Sequence, residues 1–441
     1  MDKSQPRRFT AGRIIELLVL ALAMFGFTAF GYWLGRLDRP PEPPPAPQAS
    51  PAMVDQQARA VAEPEIDAPR PTVLQKPEPQ AVEARAKAIL SAKEAILTEC
   101  RNAAGGDWDR WERETEPFRA QIKARMAVQK PFDPIREYWL KDRPQALAGK
   151  DGFPLFEVYP REGIQYLYDA DSIKQFQQDR AVVAASLWLN QRGIDLIYVD
   201  IPNMTEVYIE HFVDSCPADG IVAPHVRRAM HDLLMEDVEV VDGFPLFRRE
   251  REPNPEYLFN TADTHWAPRG MRIMAREVAK RIKRYGFGEE ARSSAPIVKT
   301  APQAYDIQHA LSKIVPGSMP NQDGWWTLTA DEQKRATAVQ TKTIEHVTMP
   351  GGTEPPENPK SPVLLIGHSY LLNFRELLIK EANLLPRSRM GAGQTTESFG
   401  DFLRQPEILD GCKVVIWITT NKYLPRYAKI PRPIMRVLEG G

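Results

Sequence analysis

The sequence predicts an α/β protein whose mainly parallel sheet is covered by helices. Beyond residue 150, short apolar or β-branched segments alternate with longer helical patterns, which is typical of parallel βαβ units. The chain has 441 residues, 43% of them hydrophobic, and this is enough to bury at least one sizeable core. The first eighty residues differ in composition from the rest. We therefore expect one large domain preceded by a differently built N-terminal region.

Residues 14–34 form a nearly unbroken apolar run, interrupted only by Glu16, that is long enough to span a bilayer. Basic residues are concentrated before the run, which favours a cytoplasmic amino end; they are Lys3, Arg7, Arg8 and Arg13. We predict a cytoplasmic tail at 1–13 and an uncleaved transmembrane anchor in the lipid bilayer at 14–34. A cleaved signal peptide is the alternative, but its apolar core is usually shorter and ends in small residues, whereas this run ends Tyr32-Trp33-Leu34.

Residues 35–80 predict a disordered linker, because twelve prolines fall between Pro40 and Gln80 among few large apolar side chains. Such a segment behaves as a semi-rigid, extended spacer. Residues 81–149 predict a helical lead-in, beginning with an Ala-rich helix at 81–101. The remaining part, 150–441, is the predicted α/β domain.

Within that domain the helical patterns cover 181–191, 222–235, 269–285 and 371–385, and the strands cover 195–201, 238–241, 362–366 and 414–419. In parallel sheets the site is built from loops beyond the carboxyl ends of the strands. Three such loops carry polar residues: the one with Asn203, the one with Ser369, and Thr419-Thr420-Asn421. Residues 293–352 have little pattern, and we assign them no elements.

Asp263, His265 and Ser369 predict a catalytic triad. In an extended segment residues i and i+2 point to the same side, so Asp263 can fix the tautomer of His265. Ser369 follows an apolar strand and precedes a helix, a context that suits a nucleophile. A lone Gly-x-Ser in this context is often only a helix cap, and the Asp-x-His-Trp motif is what favours catalysis. These residues indicate acyl or acetyl transfer.

The run Thr261-Ala262-Asp263-Thr264-His265-Trp266-Ala267-Pro268-Arg269-Gly270 resembles the Asp-x-His-Trp-x-Pro-x-Gly signature of the alginate O-acetylation proteins, whose domain is SGNH-hydrolase-like. Gly367-His368-Ser369-Tyr370 is similar to their nucleophile turn, although His368 stands where that family usually has a small residue or Asp. The resemblance covers roughly 150–424.

The resemblance implies a three-layer α/β/α domain that is tethered in or exported to the periplasm. With the anchor predicted from the apolar run, we expect a single-pass protein of the inner membrane whose domain lies in the periplasm. It implies O-acetyl transfer to an exported or cell-surface polysaccharide through an acetyl-serine intermediate. The acetyl donor would be a membrane-bound O-acyltransferase, and no cofactor is implied. Two alternatives stay open: a carbohydrate acetylesterase that uses the same triad, and a non-catalytic scaffold of a polysaccharide secretion complex.

Four further residues are candidates for substrate or oxyanion binding. Trp266 and Tyr370 flank the triad residues, and their rings can stack on sugars or pack inside the domain. Arg269 can meet an anionic group or lie along its helix. Asn203 can donate to an oxyanion or cap a helix.

The net charge of −1 provides no basic field for a phosphate backbone, so we predict no nucleic-acid partner. The histidines show no spacing for a metal, and we predict no metal site. Three cysteines are too few for a disulfide scaffold, but an exported location permits one bridge, for which we predict Cys100 and Cys216. Cys412 precedes an apolar strand, which indicates burial.

Overall fold

The computed structural model describes residues 79–126, 145–147, 156–158, 174, 177, 180–252, 256–260, 265–287, 298–307, 340–348, 355–371, 373–390, 396–420 and 430–439. All of them fall within Arg70–Gly441, the second of the two units into which the chain divides.

The strands of the described residues are β1 (Gln145–Leu147), β2 (Phe156–Val158), β3 (Asp195–Ile201), β4 (Glu239–Asp242), β5 (Val298–Ile307), β6 (Gln340–Thr348), β7 (Val363–Gly367), β8 (Arg387–Met390) and β9 (Val414–Thr420). The α-helices are α1 (Pro79–Ala104), α2 (Trp108–Met126), α3 (Ala181–Asn190), α4 (Met204–Val207), α5 (Pro224–Met235), α6 (Gly243–Arg249), α7 (Pro268–Lys283), α8 (Phe374–Ala382), α9 (Thr396–Arg404) and α10 (Arg432–Met435).

A five-stranded sheet in the order β4-β3-β9-β7-β8 forms the centre of the domain, and every neighbouring pair is parallel. Strands β3, β7 and β9 are almost wholly buried, as expected for strands covered on both faces. In the register, Gly367 lies opposite Ile418, and Asp200 lies opposite both Thr419 and Asp242. The carboxyl ends of β3, β7 and β9 therefore meet at one edge of the sheet.

Two cores cover the two faces of this sheet, because successive side chains of a strand point to opposite faces. One core contains Ile197, Val199 and Ile201 of β3 together with residues of α7 and α8. The other contains Leu196 and Tyr198 of β3 together with residues of α3, α5 and α9. The domain thus has the three α/β/α layers that the resemblance implies.

The predicted strands and helices of this sheet are present, with ends shifted by a few residues. The predicted helix at 371–385 is the most changed, because a 3₁₀ turn, Ser369–Leu371, precedes α8. Strand β8 was not predicted, because this edge strand has the sequence Arg-Ser-Arg-Met and no apolar run. Helix α9 was not predicted either. The same is true of β5 and β6, which pair antiparallel inside the unpatterned stretch at 293–352.

Helix α1 packs on the α/β domain. The predicted helix at 81–101 is the core of α1, which extends a little further at both ends. Ile89 and Ile96 of α1 belong to the same core as α3 and α5. The structure therefore joins the first part of the lead-in to the domain.

The anchor at 14–34 and the linker at 35–80 lie outside the described residues, except for the first two residues of α1. Among the described residues, no helix has both the length and the apolar character needed to cross a membrane. The anchor remains a prediction.

Candidate active site

His265 and Ser369 meet at the carboxyl edge of the sheet although 104 residues separate them. His265 Nε2 lies 2.8 Å from Ser369 Oγ, which is hydrogen-bonding distance. When His265 carries its proton on Nδ1, Nε2 accepts the hydrogen bond from the serine hydroxyl. A serine hydroxyl bonded to a neutral imidazole is the arrangement of a nucleophile with its general base.

A short antiparallel bridge between Phe259 and Trp266 positions His265. The Asn260 amide donates to the His265 carbonyl at 2.9 Å, and the Ala267 amide donates to the Leu258 carbonyl at 2.8 Å. The Leu258 amide in turn donates to the buried Tyr208 hydroxyl at 3.0 Å. These bonds hold the segment before α7 close to the end of the sheet.

Gly270, in the first turn of α7, allows this close approach. A Cβ at Gly270 would lie 2.5 Å from the Leu258 carbonyl oxygen, which is too close for any side chain. The Pro-x-Gly part of the motif thus has a packing reason: proline suits the first turn of a helix, and glycine lets the helix touch the His265 segment.

Ser369 lies on a tight turn that leaves β7 at Gly367. A Cβ at Gly367 would lie 2.9 Å from the Ile418 carbonyl oxygen and 2.8 Å from Leu371 Cγ. The turn then closes through a hydrogen bond of 2.8 Å from the Leu371 amide to the His368 carbonyl. Only glycine fits at 367, and the turn can therefore present Ser369 beside β9.

An aromatic cluster lies behind the pair. The Tyr370 ring is 5.0 Å from the His265 ring, 4.9 Å from the His368 ring and 5.5 Å from the Trp266 ring, measured between centroids. Trp266 in turn stacks on Phe374 of α8 at 5.2 Å. Contacts of this kind orient the imidazole and the nucleophile turn relative to each other.

Trp266 and Tyr370 are packing residues in this structure. Trp266 is 0% exposed and Tyr370 is 3% exposed, and both belong to the core that includes α7 and α8. A sugar ring needs an accessible aromatic face, so of the two roles considered for these rings the structure contains the packing role. They support the site from inside the domain.

Arg269 also has a structural role. Its guanidinium donates to the carbonyl oxygens of Glu252 and Glu256, at 2.5 and 3.0 Å, and its side chain is 15% exposed. It therefore anchors the chain that leads into the His265 segment. The predicted contact with an anionic substrate is replaced by this contact with the backbone.

Asn203 caps α4. Its side-chain oxygen accepts from the Thr205 amide at 3.4 Å, and Glu206 Oε2 accepts from the Asn203 amide at 2.9 Å, which completes a capping box. Of the two roles considered for Asn203, the structure contains the helix cap. Asp263, the third predicted triad residue, lies outside the described residues.

Comparison with known proteins places this site in a family. A family model described as SGNH hydrolase-like domain, acetyltransferase AlgX, matches residues 158–419, which is more than half of the chain. The chain belongs to this family. The match includes both the His265 and the Ser369 segments, so the family and the enzyme class predicted from the sequence, SGNH-like O-acetyltransferases, are confirmed.

Solved structures show a similar fold. The O-acetyltransferase domain of Pseudomonas putida AlgJ has a TM-score of 0.50 at 17% identity, over 68% of this chain and 100% of that one. Pseudomonas aeruginosa AlgX has a TM-score of 0.45 at 16% identity, over 67% of this chain and 66% of its own. No curated protein was found to match the chain in sequence. The similarity to the AlgJ domain supports the SGNH-like α/β fold.

The three cysteines are free, and the predicted bridge between Cys100 and Cys216 is wrong in this structure. Cys100 packs with Trp111 and Phe244, whereas Cys216 packs against the core of α7 and α8. Burial raises the pKa of each thiol, that of Cys412 to about 11. Such thiols stay protonated and make poor nucleophiles.

In the part of the chain that the structure describes, no group of three or more His, Cys, Asp or Glu side chains is arranged to hold a metal ion.

A set of buried charged residues lies close to the same edge of the sheet and was not predicted from the sequence. Arg227 of α5 is buried and pairs with Glu99 of α1 at 2.9 Å and with Asp242 at 2.7 Å. Asp200 lies opposite Asp242 in the sheet and is 1% exposed. Burial, followed by the nearby carboxylates of Asp242 and Glu206, raises the pKa of Asp200 well above its ordinary range. An acid within the apolar run Val199-Asp200-Ile201 was the available signal.

Proposed function

We propose that this protein transfers acetyl groups to hydroxyls of an exported or cell-surface polysaccharide, with Ser369 as nucleophile and His265 as general base. One observation carries the proposal: the 2.8 Å contact between His265 Nε2 and Ser369 Oγ in a chain of an SGNH-like acetyltransferase family. Asp263, two residues before His265, is the proposed partner of His265 Nδ1.

In the first half of the reaction, Ser369 Oγ attacks the acetyl carbonyl carbon while His265 Nε2 takes the hydroxyl proton. The carbonyl π electrons move to oxygen and form a tetrahedral oxyanion. Its collapse restores the carbonyl and expels the donor's leaving group, which takes the proton from His265. The product is acetyl-Ser369.

In the second half, a hydroxyl of the polysaccharide attacks acetyl-Ser369 while His265 takes that hydroxyl's proton. Collapse of the second tetrahedral intermediate breaks the bond to Ser369 Oγ, which recovers a proton from His265. The acetyl ester then lies on the sugar and the enzyme is regenerated. No cofactor takes part in either half.

The proposed place of the reaction is the periplasm, with residues 14–34 as a single-pass anchor in the inner membrane. The apolar run and the basic residues before it support this location, and the proline-rich linker would hold the domain away from the bilayer. We propose a membrane-bound O-acyltransferase as the acetyl donor, on the resemblance noted above.

The experiment is an assay of the full-length chain in detergent with an activated acetyl ester, with and without a neutral or acidic oligosaccharide. Acetylated oligosaccharide, detected by mass spectrometry, is the expected product, and Ser369→Ala should abolish it. Release of acetate alone with every acceptor would favour the esterase alternative. Retention of polysaccharide acetylation in cells that carry Ser369→Ala would favour the scaffold alternative and reject catalysis by this site.

A further inference from the structure

Thr420, the last residue of β9, carries a buried hydroxyl that the mechanism above does not use. Thr420 is 2% exposed, and its Oγ1 has no hydrogen-bond partner among the residues that the structure describes. Leaving a buried polar atom unpaired costs on the order of 1–3 kcal/mol, so such atoms are rare in native proteins and call for a specific explanation. The position of this hydroxyl supplies one.

The alternation of β9 directs Thr420 to the face of the sheet that carries the candidate active site. Val414, Ile416 and Ile418 belong to the core that contains Trp266 and Tyr370, whereas Val415 and Trp417 belong to the opposite core. Side chains two residues apart in a strand point the same way, so Thr420 continues the row of Ile416 and Ile418. Its register partner, Ile201, lies in that same core.

The register also places Thr420 next to the nucleophile turn. Gly367, the last residue of β7, pairs with Ile418. Thr420 ends β9 two residues beyond that pair, and Ser369 begins the 3₁₀ turn two residues after Gly367. Neighbouring strands lie about 4.8 Å apart. The close contact of Gly367 with the Ile418 carbonyl shows that strands β7 and β9 are still adjacent where β7 ends. The end of β9 therefore lies next to the start of the nucleophile turn.

We propose that Thr420 is a catalytic residue whose hydroxyl donates a hydrogen bond to the oxyanion formed when Ser369 attacks the acetyl carbonyl. This inference rests on the proposed function. The hydroxyl proton stays on Thr420 throughout, and the negatively charged acetyl oxygen accepts the hydrogen bond for which the described residues supply no acceptor. The donor acts when the carbonyl oxygen becomes charged, so it lowers the barrier of both halves of the reaction.

Thr419 provides a matched control in the same strand. It is fully buried, and its hydroxyl donates to the Thr420 carbonyl at 3.3 Å. As the neighbour of Thr420 it continues the row of Val415 and Trp417, and it points to the opposite face. Thr419→Val and Thr420→Val therefore remove the same chemical group from the same strand, but only the second removes it from the site.

The test measures two activities of the full-length chain, hydrolysis of 4-nitrophenyl acetate and acetyl transfer. Wild type is compared with four variants: Thr420→Val, Thr420→Ser, Thr419→Val and Ser369→Ala. We expect Thr420→Val to lower kcat by about 10²- to 10³-fold with little change in KM, which is the effect of losing one oxyanion donor. Thr420→Ser restores the hydroxyl and should recover most of the activity. Circular dichroism and thermal unfolding report whether each variant is folded, and Thr420→Ala replaces Thr420→Val if the valine side chain prevents folding.

The outcomes separate this inference from the proposed function. If Ser369→Ala is inactive while Thr420→Val and Thr420→Ala keep wild-type kcat, the role of Thr420 is overturned and the proposed function stands. An equal loss in Thr419→Val and Thr420→Val, without recovery in Thr420→Ser, also overturns it, because the effect is then structural. Full activity in Ser369→Ala rejects the nucleophile, and the role of Thr420 falls with it.

Discussion

The guanidinium of Arg227 donates two hydrogen bonds to the carboxylate of Glu99, at 2.9 and 3.1 Å, across 128 residues of sequence. The same guanidinium lies 2.7 Å from Asp242 at the end of β4. One buried cation thus joins helix α1, which precedes the matched family domain, to helix α5 and to the edge of the sheet that carries the candidate site.

Replacing Arg227 by methionine should lower the free energy of unfolding by about 3 kcal/mol, because it leaves the partly buried Glu99 and Asp242 carboxylates without their cation. Urea denaturation of the two proteins measures the difference. The neighbouring Arg228→Met is the control: Arg228 pairs with the exposed Asp109 at 3.1 Å, and its side chain is 43% exposed. That change should cost at most about 1 kcal/mol. Equal losses for the two variants would contradict the structural role of Arg227.

Asp200→Asn should change how stability depends on pH. The folded protein raises the pKa of Asp200, while the unfolded chain ionises it near its usual value of about 3.9. The contribution of Asp200 to stability is therefore fully present below about pH 4 and is lost as pH rises toward the folded pKa. Asparagine has no proton to lose.

The stability of Asp200→Asn relative to wild type should therefore increase from pH 4 to pH 8. Urea denaturation at several pH values, with the two proteins in the same buffers, measures that difference. A difference that stays constant across this range would show that Asp200 ionises in the folded protein as it does in the unfolded one.

His265→Gln and Ser369→Ala should each reduce acetyl-ester turnover by at least about 10³-fold, and the double variant should be no worse than the poorer single variant. Residues that act as one unit show this lack of additivity. The contact of 2.8 Å between the two side chains is the reason to expect it. Initial-rate measurements on the three variants are sufficient, and losses that multiply in the double variant would indicate two independent functions.

Gly367→Ala should lower activity by roughly 10²-fold, since the added Cβ would force the nucleophile turn away from the Ile418 carbonyl, and a shift of about 1 Å can cost that much. Gly400→Ala is the matched control. The atom nearest to its Cβ would be at the flexible end of Arg404, at 3.2 Å, within helix α9. Alanine in a helix interior is favoured by up to about 1 kcal/mol, so the control should be active and at least as stable as wild type. Loss of activity in Gly400→Ala alone would contradict the assignment of the turn.

Several parts of the fold could be predicted because their signals are local. The strands β3, β7 and β9 are buried on both faces and therefore have continuous apolar sequences. The strand β8 does not: Arg389 and Met390 at its end are exposed on the edge of the sheet, so its sequence lacks an apolar run. The predicted disulfide is wrong because the sequence indicates only that an exported location permits a bridge. It does not show which cysteines lie close together in the fold.

The sequence was sufficient to predict the alternating strands and helices, to find the Asp-x-His-Trp and Gly-x-Ser segments, and to recognise the family to which they belong. These follow from periodicity and from residue types that are adjacent along the chain. The folded structure adds that His265 reaches Ser369, that Trp266 and Tyr370 face the core, and that the Thr420 hydroxyl has no partner among the described residues. Distances, burial and hydrogen-bond pairing depend on which segments the fold brings together. When two segments are a hundred residues apart, the local sequence of neither one shows that they will be in contact.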